Sequence, residues 1–127
     1  MIKAGIVGGT GYTGIELLRL LHNHPEVEVV AISSRSLNGK RADSVFPSLV
    51  GHSDLVFSLP DGNDLYKCDV VFFATPHGVA MESARGFINK GIRVIDLGAD
   101  FRISDSKEWS KWYAMEHTEA QLLSTAV

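Results

Sequence analysis

Three glycines pose the first chemical question. Gly9, Gly11 and Gly14 fit the spacing G-x-G-x-x-G, and Gly8, Gly11 and Gly14 fit G-x-x-G-x-x-G equally well. In such a run one glycine makes a tight turn, one lets a pyrophosphate approach the main chain with no Cβ in the way, and one lets the following helix pack closely on the preceding strand. Gly8, Gly9, Thr10, Gly11, Tyr12, Thr13 and Gly14 are therefore the candidate cofactor contacts, with the two threonines as extra hydroxyl donors. The alternative is a tight turn with no ligand. A nucleoside-triphosphate loop does not fit, because no Gly-Lys-Ser/Thr follows and the lysine that would reach the terminal phosphates is missing. About 20 residues further on, where a carboxylate would accept the ribose 2′-OH of NAD, stands "SSRS", Ser33 to Ser36, with no acidic residue between Val29 and Leu37. Arg35 can hold a phosphate through two parallel N–H bonds while Ser33, Ser34 and Ser36 donate hydroxyls, so NADP is the expected cofactor; a solvated loop arginine is the alternative.

Other chemistry is sparse. Cys68 is the only cysteine, sits in "YKCDVV" with no basic neighbour in sequence, and reads as an ordinary thiol. It can form no disulfide within the chain, and no Cys or His set has metal-ligand spacing, so no metal is expected and the setting is a reducing, cytoplasmic one. His22, His24, His52 and His117 are dispersed and suit surface or capping roles.

These residues need elements to position them. Ile2 to Val7 reads as a buried strand, and Tyr12 to His22 as a helix with Ile15, Leu17, Leu18 and Leu21 on one face. Val27 to Ser33 is a second strand, which makes a βαβ unit of about 30 residues with the glycines at its turn. A polar loop from Ser33 to Lys40 precedes a weaker strand, "DLVFSL". "DVVFFAT", Asp69 to Thr75, is a continuous apolar run, as expected of a central strand covered on both faces. A helix from Val79 to Lys90 ends at Gly91, a strand runs from Ile92 to Leu97, and the tail from Ser104 is helical, with Asp105 or Thr118 as N-cap. Alternating strands and helices give an α/β, Rossmann-like, doubly wound and mostly parallel sheet with helices on both faces.

In that topology the loop after the Asp69–Thr75 strand opens over the same crevice as the glycines, so Thr75, Pro76, His77 and Gly78 are further candidate cofactor contacts. For His77 a hydrogen bond to nearby main chain is an equal alternative. Trp109, Trp112 and Tyr113 form one helical face, expected to pack against the core or another domain.

The 127 residues bound a single domain with a real core, and 45% hydrophobic with 21% charged residues is an ordinary globular composition. The net charge of −3 and scattered Lys and Arg leave no footprint for nucleic acid, and no apolar run approaches a membrane span or an export signal.

"VGGTGYTGIELLRLLHNHPEVEV", "FFATPHGVA", "VIDLGADFRI" and "WYAMEH" resemble, in order and spacing, the N-terminal domain of the N-acetyl-gamma-glutamyl-phosphate reductases over essentially the whole chain. The resemblance implies NADPH-dependent reduction of N-acetyl-glutamyl phosphate to the semialdehyde plus phosphate, in arginine biosynthesis, through a thioester on a cysteine. That cysteine, in an Asn-Pro-Gly-Cys-Tyr-Pro-type segment, and the acid-base histidine have no counterpart here. Residues 1–127 are accordingly expected to be the NADP-binding domain, with no catalytic residue and no turnover alone, from an enzyme that is a homo-oligomer at full length. Arg102, in "GADFR", resembles an arginine that meets the substrate phosphate in related aspartate-semialdehyde dehydrogenases; an Asp100–Arg102 loop bridge is the alternative. Two rivals remain: the cofactor domain of an aspartate-semialdehyde dehydrogenase, and a non-enzymatic NADP-sensing domain. The latter is of the extended short-chain dehydrogenase type without catalysis, because none of Tyr12, Tyr66 and Tyr113 is followed by Lys four residues on, as the short-chain Tyr-x-x-x-Lys pair requires.

Overall fold

A computed structural model describes residues 1–8, 11–47, 54–60, 63–75, 79–98, 106–113, 117 and 119–126. Its elements in chain order are β1 (Ile2–Val7), α1 (Tyr12–His22), β2 (Val27–Ser33), α2 (Ala42–Val45), β3 (Phe57–Ser58), a 3-10 segment (Asn63–Lys67), β4 (Val70–Phe73), α3 (Val79–Asn89), β5 (Arg93–Asp96), α4 (Ser106–Tyr113) and α5 (Ala120–Thr125). The five strands form one sheet in the order β3-β2-β1-β4-β5, and every neighbouring pair is parallel. The chain therefore winds outward from β1 to β3, crosses back, and winds outward again through β4 and β5. The reversal falls between β1 and β4, and a crevice opens beyond their carboxyl ends.

Successive strand residues serve opposite faces of the sheet, as the two-residue pleat requires. Val7, Ala31, Val71 and Phe73 pack with Leu65, Cys68, Ala80, Phe87 and Ile92 on the side covered by α3 and the 3-10 segment. Ile6 and Ile32 pack with Leu18 of α1, Ala42 and Phe57 on the other. Two cores sharing one sheet explain why β1 and the Asp69–Thr75 run lack a polar face in sequence. Aromatic contacts extend the α3 side, with Tyr66 stacked on Phe87 at 4.7 Å and Phe73 edge-on to Phe87 at 5.8 Å.

β1, α1 and β2 have the expected bounds. The strand after the polar loop is shorter than "DLVFSL": only Phe57–Ser58 pairs with Ile32–Ser33, while Val56 bridges antiparallel to Arg41. The loop 37–42 takes up that edge instead, with Phe57 N–H donating to Lys40 O at 2.9 Å and Ala42 N–H to Leu55 O at 2.8 Å. The α2 helix and the 3-10 segment carry no clear apolar period and were not anticipated from the sequence. α3 ends as expected, with Gly91 at φ 79°. Glu119, not Thr118, precedes α5. Its main-chain N–H is taken by Nδ1 of the buried His117 at 3.0 Å, and its carboxylate is held two-pronged by Arg85 of α3, which ties the C-terminal helix to the domain. Trp109 is fully buried and meets His117 edge-on at 4.7 Å. Asp105 and the side chains of Trp112 and Tyr113 lie outside the described residues.

One glycine is required by the core itself. A Cβ on Gly5 would stand 2.9 Å from both Leu65 Cδ2 of the 3-10 segment and Sγ of Cys68, the residue just after it, and both side chains are buried. Gly5→Ala should lower unfolding stability by about 1–3 kcal/mol. Adding Cys68→Ala should recover part of that loss in denaturant unfolding, because it clears one of the two clashing atoms. No recovery would mean that the constraint lies in the backbone.

Candidate functional site

The carboxyl ends of β1, β2 and β4 meet at Gly8. Its N–H donates to Ser33 O at 3.2 Å and faces Ser33 Oγ at 3.4 Å, while Ala74 N–H donates to Val7 O at 2.9 Å. Gly8 has φ +82°, and a Cβ there would lie 2.7 Å from Thr75 Cγ2 and 2.8 Å from Ala74 O. Both the left-handed backbone and the neighbouring strand demand glycine at this position. The turn thus leaves β1 closely wedged between β2 and β4.

Gly11 is different in kind. It is the N-cap of α1, with φ −81° and ψ 169°, an extended conformation open to any residue, and among the described residues nothing lies within 4 Å of the Cβ it lacks. No side chain caps the helix start and no acidic residue stands in its first turn. The first-turn N–H groups have no partner within the helix itself, and they sit at the positive end of the helix dipole. Gly14 is buried in the helix, whereas Thr13 and Tyr12 are exposed, the latter by 86%. Across the crevice, at the end of β4, Thr75 Oγ1 is buried with no hydrogen-bond partner. A buried hydroxyl left unsatisfied in a native fold marks a place where another polar group belongs. A helix start with no side-chain cap, a Gly11 that no described residue crowds and a buried hydroxyl with no partner among the described residues are features that a nucleotide cofactor would fit.

The second half of the predicted site lies along the turn after β2. Ser33 and Ser34 are buried, and Arg35 and Ser36 are exposed. Ser33 faces the Gly8 amide, so its hydroxyl belongs to the strand junction. Arg35 has no carboxylate partner among the described residues, unlike Arg19, Arg41 and Arg85, which are engaged by Glu16, Asp43 and Glu119. Each of those pairs holds its carboxylate below the ordinary range, chiefly through the guanidinium hydrogen bonds. Gly9, Thr10, Pro76, His77, Gly78, Asp100 and Arg102 lie outside the described residues.

Asp96 was not singled out in the sequence. It ends β5, and its Oδ1 accepts Gly98 N–H at 2.8 Å, in a turn that brings Gly98 beside Thr75 O, 3.4 Å from where a Cβ would stand. The Asp-x-Gly spacing was the available signal, since an aspartate readily accepts from the backbone two residues on.

Cys68 sits at the opposite end of the strands, before β4 begins. Its Sγ lies 3.6 Å from Asp64 O, and burial, then the charges of Asp69 and Asp64, push the thiol up to about 11. Among the described residues no group of three or more His, Cys, Asp or Glu could hold a metal ion, and no helix is long and apolar enough to cross a membrane.

The fold is that of a doubly wound, parallel α/β domain, and the chain belongs to the family "Semialdehyde dehydrogenase, NAD binding domain", whose model matches residues 3–126. Within it the chain is similar to enzymes named N-acetyl-gamma-glutamyl-phosphate reductase: it is 59% identical to that of Ruthia magnifica and 60% identical to that of Laribacter hongkongensis, each match covering all of this chain and 37% of the relative. The chain thus spans little more than a third of the length of these curated relatives. Among solved structures, an aspartate semialdehyde dehydrogenase with NADP from Candida albicans matches with a TM-score of 0.68 at 23% identity, over 92% of this chain and 40% of that one, a likeness of fold.

The raised Cys68 thiol sets a pH dependence. A folded-state value of about 11 against an ordinary 9.0 means that stability is whole below about pH 9 and falls as pH rises toward 11, because the unfolded chain releases the proton first. Cys68→Ala should flatten that alkaline fall in urea titrations. At pH 8 the native thiol should react with iodoacetamide roughly a hundredfold more slowly than the unfolded one. Equal rates would contradict the burial.

Proposed function

We propose that this chain is the NADP-binding domain of an N-acetyl-gamma-glutamyl-phosphate reductase. Gly11 carries the reading. Neither its φ and ψ nor any neighbour among the described residues calls for glycine, and a pyrophosphate resting on the first-turn amides accounts for it. Gly8, Gly9, Thr10, Tyr12, Thr13 and Gly14 complete that cradle; Thr75, with Pro76, His77 and Gly78, lines the nicotinamide half.

The bound cofactor would supply a hydride to an acyl group. This chain's own residues bind and orient it: the helix start neutralises the diphosphate charge, Gly8 sets the depth of the crevice, and Thr75 Oγ1 gains the partner it lacks. Arg35 and Ser36 would take the 2′-phosphate, and the absence of a carboxylate on that turn disfavours NAD. Arg102 is assigned to the substrate phosphate of N-acetyl-glutamyl phosphate in the whole enzyme. No nucleophile for acyl transfer stands near the crevice among the described residues, since Cys68 is buried at the amino ends of the strands with a raised pKa. The chain alone should therefore bind cofactor without turnover, and the thioester chemistry belongs to the remainder of a longer enzyme, a homo-oligomer working in the cytoplasm. The identities of 59% and 60% to glutamyl-phosphate reductases, against 23% to the Candida aspartate enzyme, favour the former substrate class.

Gly11→Ser separates ligand from fold. Serine suits the N-cap conformation and should leave the thermal midpoint unchanged or higher, yet its side chain fills the space before the helix, so NADP affinity by calorimetry should drop more than tenfold. Unimpaired NADP binding would refute the pyrophosphate position. In the same titrations the parent should bind NADP more tightly than NAD, and Arg35→Asp should narrow or reverse that difference.

A further inference from the structure

The turn after β2 is organised by one inward-facing hydroxyl. Ser34 is only 6% exposed, while its neighbours Arg35 and Ser36 are exposed. Ser34 Oγ accepts the N–H of Leu37 at 3.2 Å and lies 3.3 Å from Ser36 Oγ. The turn is tied at both ends to β3, through Ser34 N–H to Ser58 O at 2.9 Å and Gly39 N–H to Phe57 O at 2.8 Å. Either hydroxyl can donate across the Ser34–Ser36 contact; with Ser34 as donor, the hydrogen of the exposed Ser36 is left for an acceptor outside the protein.

We propose that Ser34 is a positioning residue for cofactor selectivity: it fixes the 34–37 turn so that the Arg35 guanidinium and the Ser36 hydroxyl converge on the 2′-phosphate of NADP. The proposal rests on reading the chain as an NADP-binding domain. Its physical content is preorganisation, because a flexible arginine on a loose turn gives up more freedom on binding than one presented by a fixed main chain. The 2′-phosphate is the only group that distinguishes NADP from NAD, so the effect must appear in one cofactor and not the other.

Calorimetric titration of NADP and of NAD tests this on the parent, Ser34→Ala, the double variant Arg35→Ala/Ser36→Ala, and the triple combination, with melting curves confirming that each is folded. Ser34→Ala should weaken NADP binding roughly three- to tenfold, the loss of one hydrogen bond, and leave NAD binding within about twofold. In the Arg35→Ala/Ser36→Ala background it should add nothing further. Ser34→Cys, which keeps the volume but accepts hydrogen bonds weakly, should behave like the alanine variant. Equal weakening of both cofactors, or an undiminished cost in the double background, overturns the positioning role. A parent with no preference for NADP overturns the underlying cofactor reading instead, whereas a parental preference that survives Ser34→Ala intact overturns the role of Ser34 alone.

Discussion

The close passage of three strand ends at Gly8 is the constraint on which the rest depends. The Gly8 amide is held by Ser33, Val7 O is held by the Ala74 amide, and the missing Cβ of Gly8 lets Thr75 and Ala74 approach within van der Waals contact. This fixes where β1 stops and where the chain must turn, and so aims α1 so that its uncapped start faces the crevice. It also sets Thr75 and the turn beginning at Ser33 on opposite flanks of that helix start. The site is thus a product of sheet order: only a strand paired in parallel on both sides, with its neighbours' chains leading away in opposite directions, leaves an open mouth there.

The two glycines that frame the turn do opposite work. Gly8 is demanded by protein atoms and backbone sign, so its substitution would be felt in folding. Gly11 is demanded by neither among the described residues, and that difference is what the proposed pyrophosphate position rests on. The chemistry around the crevice agrees with it: no acidic group in the first turn of α1, an unpartnered hydroxyl at Thr75, and an arginine on the next turn that no described carboxylate neutralises. The only thiol lies at the amino ends of the strands, packed against Gly5, where it serves the core.

Much of this was legible in the residues because it follows from periodicity. The bounds of β1, α1 and β2 coincide with their apolar runs, and Gly91 ends α3 in the left-handed conformation expected of it. What was not legible depends on contacts distant in sequence. The strand expected over "DLVFSL" shrinks to two residues because the loop around Lys40 competes for its edge, and Glu119, which precedes α5, is held by Arg85 from distant α3. For the site, type and spacing marked the glycines and Arg35, but not the division of labour among the serines. Ser33 serves the strand junction, Ser34 the turn, and only Ser36 and Arg35 face outward, a distinction that burial decides and sequence spacing does not record.

The central claim is that the dinucleotide lies across the start of α1. Amide NMR spectra of the isotope-labelled chain, recorded as NADP is added, test it residue by residue. The account requires the largest shifts at Gly8, Gly11, Tyr12, Thr13, Gly14 and Thr75, with Cys68, Asp69 and Arg93 at the opposite end of the strands nearly unmoved. Shifts gathered at that opposite end, or saturation with the Gly11 to Gly14 amides unchanged, would contradict it.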